Sequence, residues 1–352
     1  MALHDPNHLK HLILPAALAL QIFSCRVLLA QEQRQTEFLS FISQNDLYQP
    51  ALKSDKDFTN GLLLEYGAPI LQRLGGGWIG FELENSEQEY SLALVQEMFT
   101  PENVLTSAVD LTDRPYSGLL YLQLKANSNR LPAGRRLSSR LSIGLQGPGA
   151  LAKETQSGIH GLIDNDIPQG WDNQIGHGLL LDYELRYQHL ITPTLTYMES
   201  SLEGTGHIGT MRNFIRLGVL NRIGWFNSSF QNFGGLRNPK QPVDQKIRVE
   251  KSGGGSRRVY VNRRWQAYLV ADAYLSYVLY DGTAAGSLIP FEESVYLLDG
   301  GQIINFSGAT RLGIELSYGM IQIHYLWQVT GYRVSGSDLA GWGQFRLVVS
   351  FQ

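Results

Sequence analysis

The sequence predicts an all-β protein: a transmembrane antiparallel β-barrel of about twelve strands, with one short helix near residues 150–163. Three observations predict it. Apolar and polar residues alternate with period two over segments as long as a tilted membrane-spanning strand, ~9–11 residues. Past residue 31 no apolar run approaches the ~20 residues that a membrane helix requires. The chain opens with an export-signal pattern and closes on an amphipathic strand. A barrel pairs its backbone groups between strands and shows lipid only every second side chain, so it needs no long apolar segment.

The first element is the export signal, residues 1–30. His4, His8, Lys10 and His11 precede the apolar LILPAALALQIF, and Ala30 supplies a small residue before Gln31. Cys25 follows Ser24 in the manner of a lipoprotein site, but Phe23 is bulky for that cleavage and VLLA prolongs the apolar run beyond it. Residues 31–352 then form the barrel domain and hold no cysteine, so packing rather than disulfides must stabilise it. At 352 residues, length permits one large barrel domain or two ordinary ones. With 29 Lys+Arg against 32 Asp+Glu, no basic face for nucleic acid is expected.

The alternating segments lie near 37–46, 58–70, 88–99, 116–126, 137–147, 176–189, 194–206, 209–220, 264–280, 305–317, 319–331 and 341–351. Twelve is an even number, as a closed antiparallel outer-membrane barrel requires. In 194–206, Thr194, Thr196, Met198, Ser200 and Leu202 share one face, and glycines 204, 206 and 209 are expected to bracket a tight turn. In 264–280, Trp265, Leu269, Leu275, Tyr277 and Leu279 share a face over a length beyond the average soluble strand. The 37 glycines and 17 tyrosines suit turns and interfacial girdles, though a soluble β-protein shares both. The last strand sets Phe345, Leu347, Val349 and Phe351 on one face and resembles the signal read by the barrel-assembly machinery, except that Gln352 follows the final aromatic.

Two regions break the alternation. Residues 227–261 are polar, Gly-rich and locally basic, and read as a long extracellular loop in which Lys246, Arg248, Lys251, Arg257 and Arg258 either meet anionic lipopolysaccharide phosphates or are simply solvated. In 150–163, Leu151, Thr155, Ile159 and Leu162 recur at helical spacing, although Gly158 and Gly161 weaken the helix. Gln156 and His160, four apart, are neighbours on one face of it.

That helix carries the candidate chemistry. Neutral imidazole takes a proton from water near pH 7, so His160 is a candidate general base. Asn45-Asp46 closes the first strand, and Asp57, Thr59 and Asn60 cluster at the start of the second. Carboxylate, amide and hydroxyl oxygens are the ligand set of a hard cation such as calcium, while Asp and Asn are also ordinary turn residues. GWDNQ, which follows, suggests Trp171 as an interfacial anchor and Asp172 as a turn-ordering residue.

The order QND, DFTNG at a strand start, TPEN, DRPYSGLLY, GPGALAKETQSGIHGLI and PQGWDNQ resembles the LpxR-type lipid A 3′-O-deacylase family of Gram-negative outer membranes. The resemblance covers most of residues 40–220 and continues more loosely through the C-terminal strands. It implies a twelve-stranded barrel with a calcium-dependent esterase site between wall and helix. His160 then corresponds to the family's helix histidine and Asn45 and Asp46 to its Asn-Asp pair. Thr59 matches the threonine opening the second strand, Gln156 the glutamine before the histidine, and Asp166 the acidic residue after it, where some relatives carry Glu. The implied reaction is hydrolysis of the 3′-O-linked acyloxyacyl chain of lipid A. In it His160 activates water, while calcium held by Asp46 and Asp166 stabilises the oxyanion, with Asn45, Thr59 and Gln156 completing the site.

A covalent serine mechanism fits poorly, since no G-x-S-x-G elbow is present and Ser157 lies on the same helix as His160. An outer-membrane phospholipase with similar chemistry, or a non-enzymatic barrel in which the polar cluster is structural, are the other two readings. The expected partners are lipid A or lipopolysaccharide as substrate, outer-membrane lipid around the wall, and the assembly machinery during biogenesis.

Overall fold

In the computed structural model, residues 37–49, 58–192, 197–230, 246–249, 258–331 and 339–351 are described. The expected signal segment, Asp57, Thr194, Thr196, Lys251 and Arg257 lie outside them. Twelve strands close into an antiparallel barrel: β1 (Glu37–Asn45), β2 (Asn60–Gly67), β3 (Glu87–Phe99), β4 (Ser117–Arg130), β5 (Arg135–Gln146), β6 (Gly178–Leu190), β7 (Met198–Gly209), β8 (Arg212–Trp225), β11 (Trp265–Asp281), β12 (Phe306–Tyr318), β13 (Ile321–Thr330) and β14 (Ala340–Phe351). The ring closes where β14 pairs with β1, Phe351 opposite Glu37 and Gly343 opposite Asn45. A separate hairpin, β9 (Lys246–Val249) with β10 (Arg258–Val261), sits in the β8–β11 connection. Three short helices join these: α1 (Gly76–Ile79), α2 (Ala152–Leu162) and α3 (Gly282–Ala285).

Every segment expected to span does so, with ends shifted by a few residues. Two loop readings are corrected. Gly204 and Gly206 lie inside β7, paired with Leu217 and Ile215, and the turn falls at Thr210–Met211. A glycine marks a turn only where the ladder stops, and here the ladder runs on to His207. The described ends of the 227–261 segment do not lie on the side of α2. Strands alternate in direction, so the β8–β11 connection shares an end with the start of β1, the finish of β14 and the turn between β12 and β13. The α2 segment stands at the other end. Composition reports a loop, but only strand parity reports its side. Lys246 and Arg248 on β9 and Arg258 on β10 belong to this connection, at the barrel end opposite α2.

The two faces of the wall differ as lipid and lumen demand. On β11 the outward Trp265, Leu269, Leu275, Tyr277 and Leu279 are all exposed, and on β14 so are Phe345, Leu347 and Val349. Inward, charges are paired across strands: Arg140 with Glu184 at 2.8 Å, Arg212 with Glu97 at 2.7 Å, Arg311 with Asp272 at 2.7 Å. Ladders of this kind fill a narrow barrel, because a buried charge without a partner is costly. Toward the α2 end, Phe58, Phe99, Leu119, Met211 and Trp342 pack together across the lumen as an apolar plug. A cavity of about 360 Å³ within the lumen is lined by such groups, including Glu97, Arg212, Asp182 and His207.

Candidate active site

The residues singled out from sequence do not lie in that cavity. They lie at the α2 end, on or beside the outer face of the wall, in two groups. The first is the corner between β1 and β2. Asn45 ends β1 and accepts from the Leu47 backbone N–H at 2.8 Å, which starts a single turn over Asp46–Tyr48. That turn folds onto β14. Tyr48 packs edge-on to Phe345, with ring centroids 5.0 Å apart, and its carbonyl accepts from Tyr325 at 2.6 Å. Gly343 makes room, since a Cβ there would lie 2.5 Å from Tyr48 Cβ. Asp46 is thereby held buried, its Oδ1 accepting from Leu47 N at 2.9 Å and its own N–H donating to Thr59 O at 3.4 Å. Thr59 is also buried, its hydroxyl 2.6 Å from that of Thr100.

The second group is α2 and the turn after it. Gly147 leaves β5 at φ +103, and a Cβ there would lie 2.8 Å from the Gly176 backbone. The helix then starts at Ala152, which packs directly on the outward side of β4. A Cβ on Gly118 would fall 2.6 Å from Ala152 Cβ. Met98 of β3, Tyr116, Ala152 and Trp171 form the buried seat. Trp171 is therefore a core residue rather than an interfacial anchor. Its indole donates to Gln156 Oε1 at 2.6 Å, so Gln156 orients the seat from inside the helix. Asp172 pairs with Lys153 at 2.5 Å and ties the GWDNQ turn to the helix. Burial pushes the Tyr116 phenol up to about 12, so it remains a neutral partner to the Trp171 ring, 4.9 Å away between centroids.

Replacing Gly118 by valine is expected to unseat α2 while leaving the strand ladder intact. Limited proteolysis would then cut within 147–177 in a barrel that still migrates as folded before boiling, and an uncut loop would count against this seat.

The helix ends by a reversal that sets the histidine. Ile163 N bonds Ile159 O, Asp164 takes φ +55, and Asn165 N bonds His160 O at 2.9 Å, a Schellman-type cap. The chain therefore doubles back, and the Asp166 carbonyl comes 2.5 Å from His160 Nδ1. A carbonyl only accepts, so Nδ1 carries the proton and Nε2 of the neutral ring keeps its lone pair. Asp166 reaches His160 through its backbone, and its carboxylate is exposed to solvent.

Register joins the two groups. Asn45 pairs with Asn60, Asn60 with Met98 and Met98 with Gly118, so one row of the outer wall runs from the corner to the helix seat. At ~4.8 Å per strand the row spans about 15 Å. Among the described residues no group of three or more His, Cys, Asp or Glu side chains is placed to hold a metal ion. A cation here needs amide and hydroxyl oxygens beside a carboxylate, and the corner supplies them. Asp46 is buried next in sequence to Asn45 and beside Thr59, and the buried Asn60 Oδ1 has no hydrogen-bond partner. That donor set fits a hard cation such as calcium. Sequence reasoning met Tyr116 and Gly118 only as part of DRPYSGLLY, with no role attached, and missed Met98, because a seat is defined by packing between strands and not by spacing along the chain.

Fold and site together define an integral outer-membrane β-barrel whose distinctive polar groups lie outside the lumen, under a surface helix, rather than along a pore. The family model described as outer membrane protein LpxR matches residues 13–351, and the chain belongs to that family. Among solved structures, LpxR from Salmonella typhimurium aligns with TM-score 0.66 and 18% identity, over 89% of this chain and 100% of that one. The β-domain of the Bordetella autotransporter BrkA aligns with TM-score 0.42 and 8% identity, over 90% and 99%. At such identities the likeness to Salmonella LpxR concerns the fold. No curated protein matches the chain.

Proposed function

We propose that the protein is a calcium-dependent lipid A deacylase that hydrolyses the 3′-O-linked acyloxyacyl ester. The observation that carries the reading is the His160–Asp166 contact. It leaves Nε2 as a base on a helix clamped to the membrane-facing wall, where an outer-leaflet lipid arrives. Nε2 takes a proton from water as the water attacks the ester carbonyl, and returns it to the departing sugar oxygen. The Asp166 carbonyl holds the ring in this tautomer and stabilises the imidazolium that forms. Gln156 holds the helix in place through Trp171. Asp46 would hold the cation, with Asn45, Thr59 and Asn60 offering neutral oxygens and the exposed Asp166 carboxylate as a second acid. When bound, such an ion supplies Lewis-acid stabilisation of the charge that gathers on the carbonyl oxygen. The exposed aromatic face of β14 is what the barrel-assembly machinery would read.

Mass spectrometry of lipid A from cells expressing the protein tests this. Loss of one acyloxyacyl unit is expected. Unchanged lipid A with new lysophospholipid would instead indicate a phospholipase, and no lipid change a non-enzymatic barrel.

A further inference from the structure

We propose that the connection between β2 and β3 is a re-entrant strap embedded in the periplasmic leaflet, its outer side in contact with glycerophospholipid acyl chains. Parity places this connection at the end opposite α2, where a short solvated turn would be ordinary. Instead it climbs the outside of the barrel across β3–β6. On β3 the lumen side carries Glu89, Val95, Glu97 and Phe99, and the last three line the inner cavity, so Tyr90, Leu92 and Leu94 point outward. The strap covers Tyr90: a Cβ on Gly76 would lie 2.4 Å from its ring, and Leu71 and Ile79 pack with it. Farther round, a Cβ on Gly80 would lie 2.9 Å from Ala126 Cβ.

The strap also satisfies polar groups that the wall turns outward. Ser128 Oγ accepts from Leu83 N at 2.8 Å and Ser139 Oγ from Phe81 N at 3.3 Å, while Tyr183 OH donates to Ile79 O at 2.9 Å. Left bare, these hydroxyls would face hydrocarbon unpaired, which is costly. In their place the strap presents Ile70, Leu74, Trp78 and Phe81, all exposed, Trp78 at 95%. A polar patch of wall is thus exchanged for an apolar outer surface. Such a surface is unfavourable in water and suited to lipid.

Register fixes the depth. Leu94, Leu122, Ile143 and Leu181 form one outward row, 43–52% exposed, in the lipid belt. The next row toward the periplasm is Leu92, Leu124, Leu141 and Tyr183, and the strap's upper edge lies there, Gly75 against Leu124 and Ile79 against Tyr183. The strap's surface is therefore continuous with the belt. From the Met98 row under α2 down to the Leu92 row, strand rise and barrel tilt give about 15 Å along the membrane normal, half of a ~30 Å hydrocarbon core. With α2 at the outer boundary, the strap fills the periplasmic half. Glu82 and Glu84, exposed beside Leu83 at the lower Ser128 row, suit the headgroup level, toward which the exposed Arg73 extends its long side chain.

The test uses the full barrel refolded into vesicles of ordinary phosphatidylcholine, or of phosphatidylcholine brominated in the middle of its acyl chains. The tryptophan emission of the protein minus that of Trp78→Phe isolates Trp78, and the gel shift on boiling verifies that both are folded. Loss of most of the Trp78 emission in brominated vesicles, with no quenching by aqueous iodide, is expected. Quenching by iodide without a bromine effect would place the strap in water and overturn the proposal. Protection from both quenchers would also overturn it, since a protein partner or second copy would then cover the strap.

Discussion

His160→Ala is expected to lower the turnover of lipid A by ~10²–10⁴-fold, the usual contribution of a positioned general base. The barrel should remain folded, because His160 is half-exposed on α2 and bears no part of the seat formed by Met98, Tyr116, Ala152 and Trp171. Measured on purified barrel in detergent, a loss below about tenfold would be too small for a base. His160 would then be only a residue that closes the helix end.

Asp46→Ala is expected to abolish most turnover as well, and exhaustive chelation should reproduce that loss in the native protein. Asp46 is the buried carboxylate of the corner, and the neighbouring oxygens of Asn45, Thr59 and Asn60 are neutral. Removing it takes the anionic charge out of the donor set. In the double variant with His160→Ala the two losses should not add, as for groups acting on one transition state. Full activity after chelation would remove the metal from the mechanism. Additive losses would mean that corner and helix work independently.

The barrel was legible in the chain because alternation is local. Each strand, read alone, says which side chains meet lipid, and β11 and β14 show this over their whole length. The helix was legible for the same reason, from a 3.6-residue period in 150–163. The candidate residues were legible only through their order along the chain, which resembles a family. Nothing in their spacing shows that Asn45 and His160 share a wall.

What the sequence determined by itself is therefore the set of local patterns: spanning strands, one helix, and polar residues of a type able to bind a cation and move a proton. Tertiary structure decided everything that depends on closure. Strand parity put the 227–261 connection at the end opposite α2. Register aligned Asn45, Asn60, Met98 and Gly118 into one row and gave α2 its seat, turning Trp171 into a core residue. The left-handed Asp164 brought a backbone carbonyl, not the Asp166 carboxylate, to His160. The physical reason is common to all of these. Pattern follows from each residue's own contact with water or lipid, whereas register, parity and chain reversal are set by hydrogen bonds between residues far apart in the chain.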